Sequence, residues 1–285
     1  MSWFSEVFKP FEFAFFRNGL VVSVLAGAVC GLIGVYVVLR SMSYIGHGLS
    51  HAVFGGAAAA AVMNINYFLG AGLWGIASGL VIGRVARRRI IGADAAIGVV
   101  TTASFAIGIV LFNRFGQARR SLDAVLFGDI LGVKLSDVFV VTGVTLAVAA
   151  IVWFGYRPLL FATFDPEVAD VSGVSVARIE ALLMTMMALT VLVTMRVIGV
   201  LLISALLVIP ASTARMMTNS FARMLWLSPA IGMAACLIGM NLSYHLDTSS
   251  GATIILVNAL FFGIAFIGSG VRGRRRVGAL EHAHA

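Results

Sequence analysis

Charge is scarce in this chain. Only 11% of its 285 residues are Asp, Glu, Lys or Arg, against about 25% in a typical soluble domain. That scarcity excludes an ordinary soluble enzyme. Cysteine is scarcer still. Cys30 and Cys236 are the only two, both inside apolar stretches, which excludes a disulfide-stapled secreted domain. Segments of about ten alternating residues, the mark of a membrane β-barrel, are missing too. What is present in quantity is apolar: 60% of the residues, with a mean hydropathy of +1.03, which excludes a disordered chain. A membrane-spanning helix takes roughly 20 residues, so nine would use about 180, close to the apolar share of the chain. The formal charge of +8 suits nucleic-acid binding on paper. The basic residues sit between apolar runs, so orientation in a membrane is the better reading.

The apolar runs fall at 18–39, 47–64, 67–83, 93–112, 137–154, 180–197, 198–218, 225–243 and 253–270. They predict an all-α, polytopic membrane protein with eight or nine spans. The uncertainty lies in the second and third runs, whose Gly and Ala content also fits short or partly re-entrant segments. Phe4 to Phe16 mixes aromatics with Glu6, Lys9 and Glu12 and predicts an interfacial segment over 1–16. A membrane domain over 17–271 and a tail over 272–285 complete the division. With nine spans, thirteen of the 20 basic residues fall on one side and seven on the other. The positive-inside rule makes the richer side cytoplasmic, with the N-terminus outside and the C-terminus inside.

Two intervals are long enough to do more than connect. One is 113–136, where a short amphipathic helix is expected from Leu122 to Val133, with Asp123 and Asp129 flanking its centre. The other is 156–179, on the predicted cytoplasmic side. There Asp165 suits an N-cap, Pro166 the first helical position, Glu167 the first turn and Gly173 the C-cap. The pattern predicts a helix of two turns between spans, either a solvated connection or a docking element for a cytoplasmic partner.

Ionisable residues inside membrane spans are costly and are functional candidates by default. His47 and His51 stand out. Four residues apart, they share one helix face, and an i, i+4 histidine pair can hold one metal ion. Gly48 follows His47, so the Glu that would supply a hydrolytic base is missing. Asp94 opens a span and fits an N-terminal capping role. His245 and Asp247 end the eighth span, where they either form a solvated turn or meet an arriving substrate. The final GluHisAlaHisAla reads as a frayed tail or a weak metal binder. Pro210 interrupts the span at 198–218 and frees a backbone carbonyl, which Ser204, Ser212 and Thr213 are placed to re-satisfy. Broken helices often line transport pathways.

Three stretches taken together carry a resemblance. They are GlyHisGlyLeuSerHisAlaValPheGlyGly (46–56), IleGlyValLeuLeuIleSerAlaLeuLeuValIleProAlaSerThrAlaArg (198–215) and SerGlyAlaThrIleIleLeuValAsn (250–258). AspProGlu at 165–167 and LeuPheGlyAspIleLeuGly at 126–132 fit as well. The chain resembles the membrane permeases of bacterial ABC importers for manganese, zinc and iron(II), the ABC-3 family, over nearly its whole length. The resemblance implies a type II-like importer fold, related to vitamin B12 and siderophore permeases, in the bacterial cytoplasmic membrane. It implies a homodimer of permeases among membrane lipids, a separate ABC ATPase inside and a metal-binding protein outside. No nucleic acid and no permanently bound cofactor enter; the divalent ion is cargo. The chain holds no GxxxxGK(S/T) loop, in keeping with ATP hydrolysis on another chain.

By the same resemblance 165–178 is the coupling helix, with Asp165, Pro166, Glu167 and Gly173 as its marks. His47 and His51 are then the metal ligands; Pro210, from its break in the helix, and Asp247, from its place at the end of the eighth span, are read as gating or pathway residues. The family usually has Asp where this chain has His47. Imidazole suits Zn, Cu, Fe and Ni, whereas manganese prefers some oxygen donors. A permease for a chelated metal, a proton- or sodium-coupled carrier and a purely structural subunit are the competing readings. The few membrane carboxylates count against the second of these.

Overall fold

The computed structural model describes residues 9–63, 65–87, 92–115 and 132–283. Residues 122–131 of the helix expected over 122–133, with Asp123 and Asp129, lie outside these residues, as do residues 1–8 and His284, while Gly132 and Val133 are described and are not helical. A 3-10 turn at Lys9–Glu12 leads into α1 (Ala14–Leu39), α2 (Ile45–Val62), α3 (Tyr67–Arg87), α4 (Ala93–Phe115) and α5 (Leu135–Phe154). Then follow α6 (Tyr156–Phe164), α7 (Pro166–Val171), α8 (Val176–Ile198), α9 (Val200–Met217), α10 (Phe221–Leu246) and α11 (Ser250–Ala283). The described residues form no strand.

Seven of these helices are long and apolar enough to cross a membrane: α1, α3, α4, α5, α8, α10 and α11. The apolar part of α9, Leu202–Met217, is shorter. α2 is an unbroken helix of 18 residues, but its histidines and glycines dilute its apolar character. The two Gly/Ala-rich runs are thus unbroken helices of 18 and 21 residues. Several boundaries differ from the sequence-based ones. α1 starts at Ala14, inside the predicted interfacial segment, and α11 continues to Ala283, past the expected end of its span at 270.

Small residues set the packing. A Cβ on Gly27 would meet the Gly232 carbonyl, and one on Gly31 would meet Ser228 and Pro229. α1 and α10 therefore cross in near backbone contact and run antiparallel. Ser228 Oγ donates to the Gly31 carbonyl at 2.6 Å, which locks the crossing. The glycines at 75, 79 and 83 lie against other helices: Gly75 faces Val53, while Gly79 and Gly83 face Met184. Close approach of this kind is how membrane helices associate where no hydrophobic drive separates them from lipid.

Prolines interrupt two helices, Pro210 in α9 and Pro229 in α10. Pro210 is buried. It removes the bond that the Leu206 carbonyl would accept. Thr213 does not repair that loss, because its hydroxyl donates to Ile209 at 2.7 Å. Between α8 and α9 the chain breaks at one residue. Gly199 has φ 82° and ψ 161°, a region that essentially only glycine enters. One residue therefore separates two helices that the hydropathy pattern shows as adjoining runs.

Candidate metal centre

α2 and α4 lie side by side in the same direction: Gly48 faces Ile97 and Thr101, and Gly55 faces Ser104 and Gly108. A Cβ on Gly48 would come within 2.6 Å of Ile97 Cγ2 and 2.7 Å of Thr101 Cγ2. The glycines let the two helices close up, and this brings the first two turns of α2 beside those of α4. There a cleft of about 370 Å³ is lined by Tyr44, His47, Gly48, His51, Asp94, Ile97, Gly98, Thr101, Thr102 and Phe105.

The two predicted ligands meet in this cleft. Nε2 of His51 lies 3.2 Å from Nε2 of His47, so in the neutral pair one ring donates and the other accepts. An ion about 2.1 Å from both nitrogens would see them at about 100°. That angle falls between the octahedral and tetrahedral values, so neither geometry is excluded. The His51 ring is wedged edge-on against Phe105, centroids 4.7 Å apart, and Phe105 in turn packs on Phe54 at 5.2 Å. His47 is exposed and His51 half-buried. Nδ1 of His51 is buried with no hydrogen-bond partner among the described residues.

Asp94, read from the sequence as a helix cap, lines the same cleft in the first turn of α4. Among the described residues, no three His, Cys, Asp or Glu side chains converge on one point. One chain therefore offers two imidazoles and a nearby carboxylate, not a closed cage. Thr101 is turned inward on its own helix, donating to the Ile97 carbonyl at 2.7 Å. Tyr44, Thr102 and Phe105 also line the cleft. No sequence signal marked them, because they reach the pair only through the α2–α4 packing.

The other predicted site residues lie elsewhere. Asp165 caps α7: its Oδ1 accepts from the Val168 amide at 3.0 Å, with Pro166 opening the helix and Glu167 in its first turn. Gly173 has φ 83° just beyond the Ser172 C-cap. The expected helix over 165–178 is shorter than two turns, since α8 already begins at Val176. α6, unforeseen, fills 156–164. Exposed apolar side chains stud this segment: Phe161, Phe164, Val168 and Val171, the last 91% exposed. Asp247 is exposed and left-handed, φ 49°, at the end of α10. Neither it nor Pro210 lines the histidine cleft.

One residue overlooked by sequence reasoning joins these regions. Arg40, at the end of α1, donates from Nη2 to the Ala162 carbonyl of α6 at 2.8 Å. Its Nη1 lies 3.8 Å from Glu180 Oε1 of α8. Burial pulls the guanidinium below its usual pKa, and the Glu180 carboxylate opposes that pull. The charge is thus held by these partners more than by water.

Comparison with known proteins follows the same lines. The family model described as the ABC 3 transport family matches residues 12–269. The manganese transport system membrane protein MntC of Halalkalibacterium halodurans is 36% identical over 262 residues, 92% of this chain and 90% of that one. A probable iron transport system membrane protein of Haemophilus influenzae is 36% identical over 271 residues, 95% of this chain and all of that one. Among solved structures, PsaBC from Streptococcus pneumoniae in complex with Fab superposes with a TM-score of 0.83 at 33% identity. That match covers 92% of this chain and 95% of the other.

Proposed function

We propose, from the premise that this chain belongs to the ABC 3 transport family, that it passes bare divalent transition-metal ions, with His47 and His51 as the transit ligands. The chain is the multi-pass membrane permease of a bacterial ABC transporter. The observation that carries the metal reading is the 3.2 Å Nε2–Nε2 pair in an open cleft. Named relatives transport manganese or iron, and a donor set of two imidazoles and a carboxylate suits manganese, iron and zinc alike.

The histidine cleft lies near the end of α2 that follows Arg40, the end we assign to the cytoplasm. His47 is exposed there, and α4 buries little of itself within its own chain. Polar groups are costly against lipid, so this face fits a second permease. Two copies would bring four imidazoles toward one axis. A metal-binding protein outside delivers the ion, and a separate ATPase chain drives the switch in access. α7, capped by Asp165 and Gly173 and bearing exposed Val168 and Val171, is the docking element for that ATPase. Pro210 and Asp247 act at a distance from the cleft, in bending α9 and ending α10 on the outer side. Incomplete coordination is what a transit site needs, because the ion must leave as readily as it enters.

The test is uptake in a strain lacking other metal importers, read by element analysis with manganese, zinc and iron offered separately. His47→Ala and His51→Ala are each expected to cut uptake at least by the ~10–100-fold that losing a mere second-shell partner costs. Unchanged uptake in both variants sinks the ligand role. Competition by free ion but not by chelate separates this reading from a chelated-metal permease.

A further inference from the structure

The loop between α1 and α2 has no slack. Ser41 adopts φ 55°, and the Ser41 and Met42 amides bond back to Val38 and Val37 at 3.1 and 2.9 Å. The Ile45 amide bonds to Met42 at 2.9 Å, so α2 starts on the residue that closes α1. Met42, Ile45 and Leu49 are buried. A Cβ on Gly46 would run into Leu207 of α9. The end of α1 and the first turn of α2 thus form one stiff corner, with Arg40 at its vertex and His47 within that first turn of α2.

Arg40 reaches out of that corner in two directions. Its side chain is 10% exposed and that of Glu180 is 21% exposed. One contact holds the Ala162 carbonyl in α6, the helix that hands directly over to Asp165 and α7. The other holds the second turn of α8, the helix that follows α7. The stretch from Ala162 to Glu180, which contains α7, is therefore bracketed by one guanidinium, and that guanidinium belongs to the corner carrying the histidine pair.

We propose that Arg40 is the positioning residue that makes the segment of α6 and α7 move as one body with the histidine-bearing end of α2. The assignment rests on the reading of α7 as the ATPase-docking element. Arg is suited to the task. Its planar fork serves a carbonyl and a carboxylate at once, whereas a lysine ammonium is a point charge on a flexible stem. Losing Arg40 leaves the ATPase contact and the metal ligands in place and loosens the tie between them, which is then left to the packing of α8 on α2, α6 and α7.

The experiment uses the whole transporter, permease with its ATPase, in proteoliposomes. Two readouts are taken: manganese moved per ATP hydrolysed, and the distance between spin labels at Ser43, beside the start of α2, and Arg157 in α6. Both positions are exposed and lie outside the cleft lining and the docking face, and Cys30 and Cys236 are buried away from the label. In the native protein one narrow distance distribution is expected with and without ATP. In Arg40→Ala the distribution broadens, hydrolysis persists, and ions moved per ATP fall about tenfold, within the usual range of a coupling free energy. Arg40→Lys recovers part of the loss, and Glu180→Gln shows a smaller form of it. Should Arg40→Ala fail to fold, Glu180→Gln is read by the same two measures. An unaltered distance distribution, or an unaltered ratio of ions to ATP, overturns the proposal. The labels report without any reference to the metal. Failure of the ligand assignment shows instead in His47→Ala, so the two ideas fall separately.

Discussion

At the scale of the residue, the proposed metal passage turns on two imidazoles and the glycine between them. His47 and His51 are paired by helical spacing alone, and that much was legible in the sequence. What spacing could not show is that Phe105 pins one ring while Nδ1 of the same ring has no hydrogen-bond partner among the described residues. An all-nitrogen pair favours softer ions than an Asp–His pair does. His47→Asp is accordingly expected to shift uptake toward manganese and away from zinc, read as the ratio of the two metals taken up from an equimolar mixture. An unaltered ratio would show that the pair does not select the ion. Gly48 has a different task. Ala at this position puts a methyl against Ile97 and Thr101, and overpacking of this kind costs about 1–3 kcal/mol. Gly48→Ala should lower the thermal unfolding temperature in detergent and widen the histidine cleft. Gly98→Ala, on the same cleft but with open space around its Cβ position, should leave stability nearly unchanged.

Elements carry the next level of the argument. α7 has six residues, too few to be stable as an isolated helix in water, so its form depends on its caps and on its neighbours. Asp165 supplies one amide acceptor, and Pro166 presets the first turn. Asp165→Ala is expected to cost about 1 kcal/mol of local stability, seen as faster amide exchange across 167–171 and weaker recovery of the ATPase with the purified permease. Gly173→Ala forces a Cβ into the left-handed region, at roughly 1–2 kcal/mol, and should have a similar effect. The caps were readable because they are local: each uses atoms within three residues. α6 escaped notice because Tyr156–Phe164 has no such start signal. It nearly continues α5 through Gly155, whose amide bonds to Ile151 and whose carbonyl accepts from Leu159. The expected repair of the Pro210 gap by Thr213 failed for a related reason. The hydroxyl at i reaches the carbonyl at i−4, and that is Ile209, not Leu206.

For the whole molecule, the antiparallel and parallel pairings agree with a chain that crosses repeatedly. α1 opposes α10, α3 opposes α8, and α2 runs with α4, as alternate passage through a membrane requires. Under the positive-inside reading, α7 faces the cytoplasm and the α10–α11 turn faces outward. Cysteines placed at Val171 and at Asp247 test this. In intact cells a membrane-impermeant thiol reagent is expected to label Asp247→Cys and spare Val171→Cys. The reverse pattern would invert the topology and with it the direction assigned to the histidine cleft.

The sequence alone was enough to place the chain in a membrane, to divide it into helices and to single out the histidine pair. Each of these follows from composition or from a period of three to four residues, and such signals survive without any knowledge of neighbours. Tertiary structure decided what surrounds the pair and what it is tied to. Asp94 and Phe105 join His47 and His51 only because glycines at 48, 55 and 108 let two helices distant in the chain come almost into backbone contact. Arg40, which charge counting treats as one more orienting cation, becomes a clamp only when α6 and α8 fold back to within reach of it. Close approach between distant segments depends on complementary surfaces on both, and no local pattern on either one encodes it.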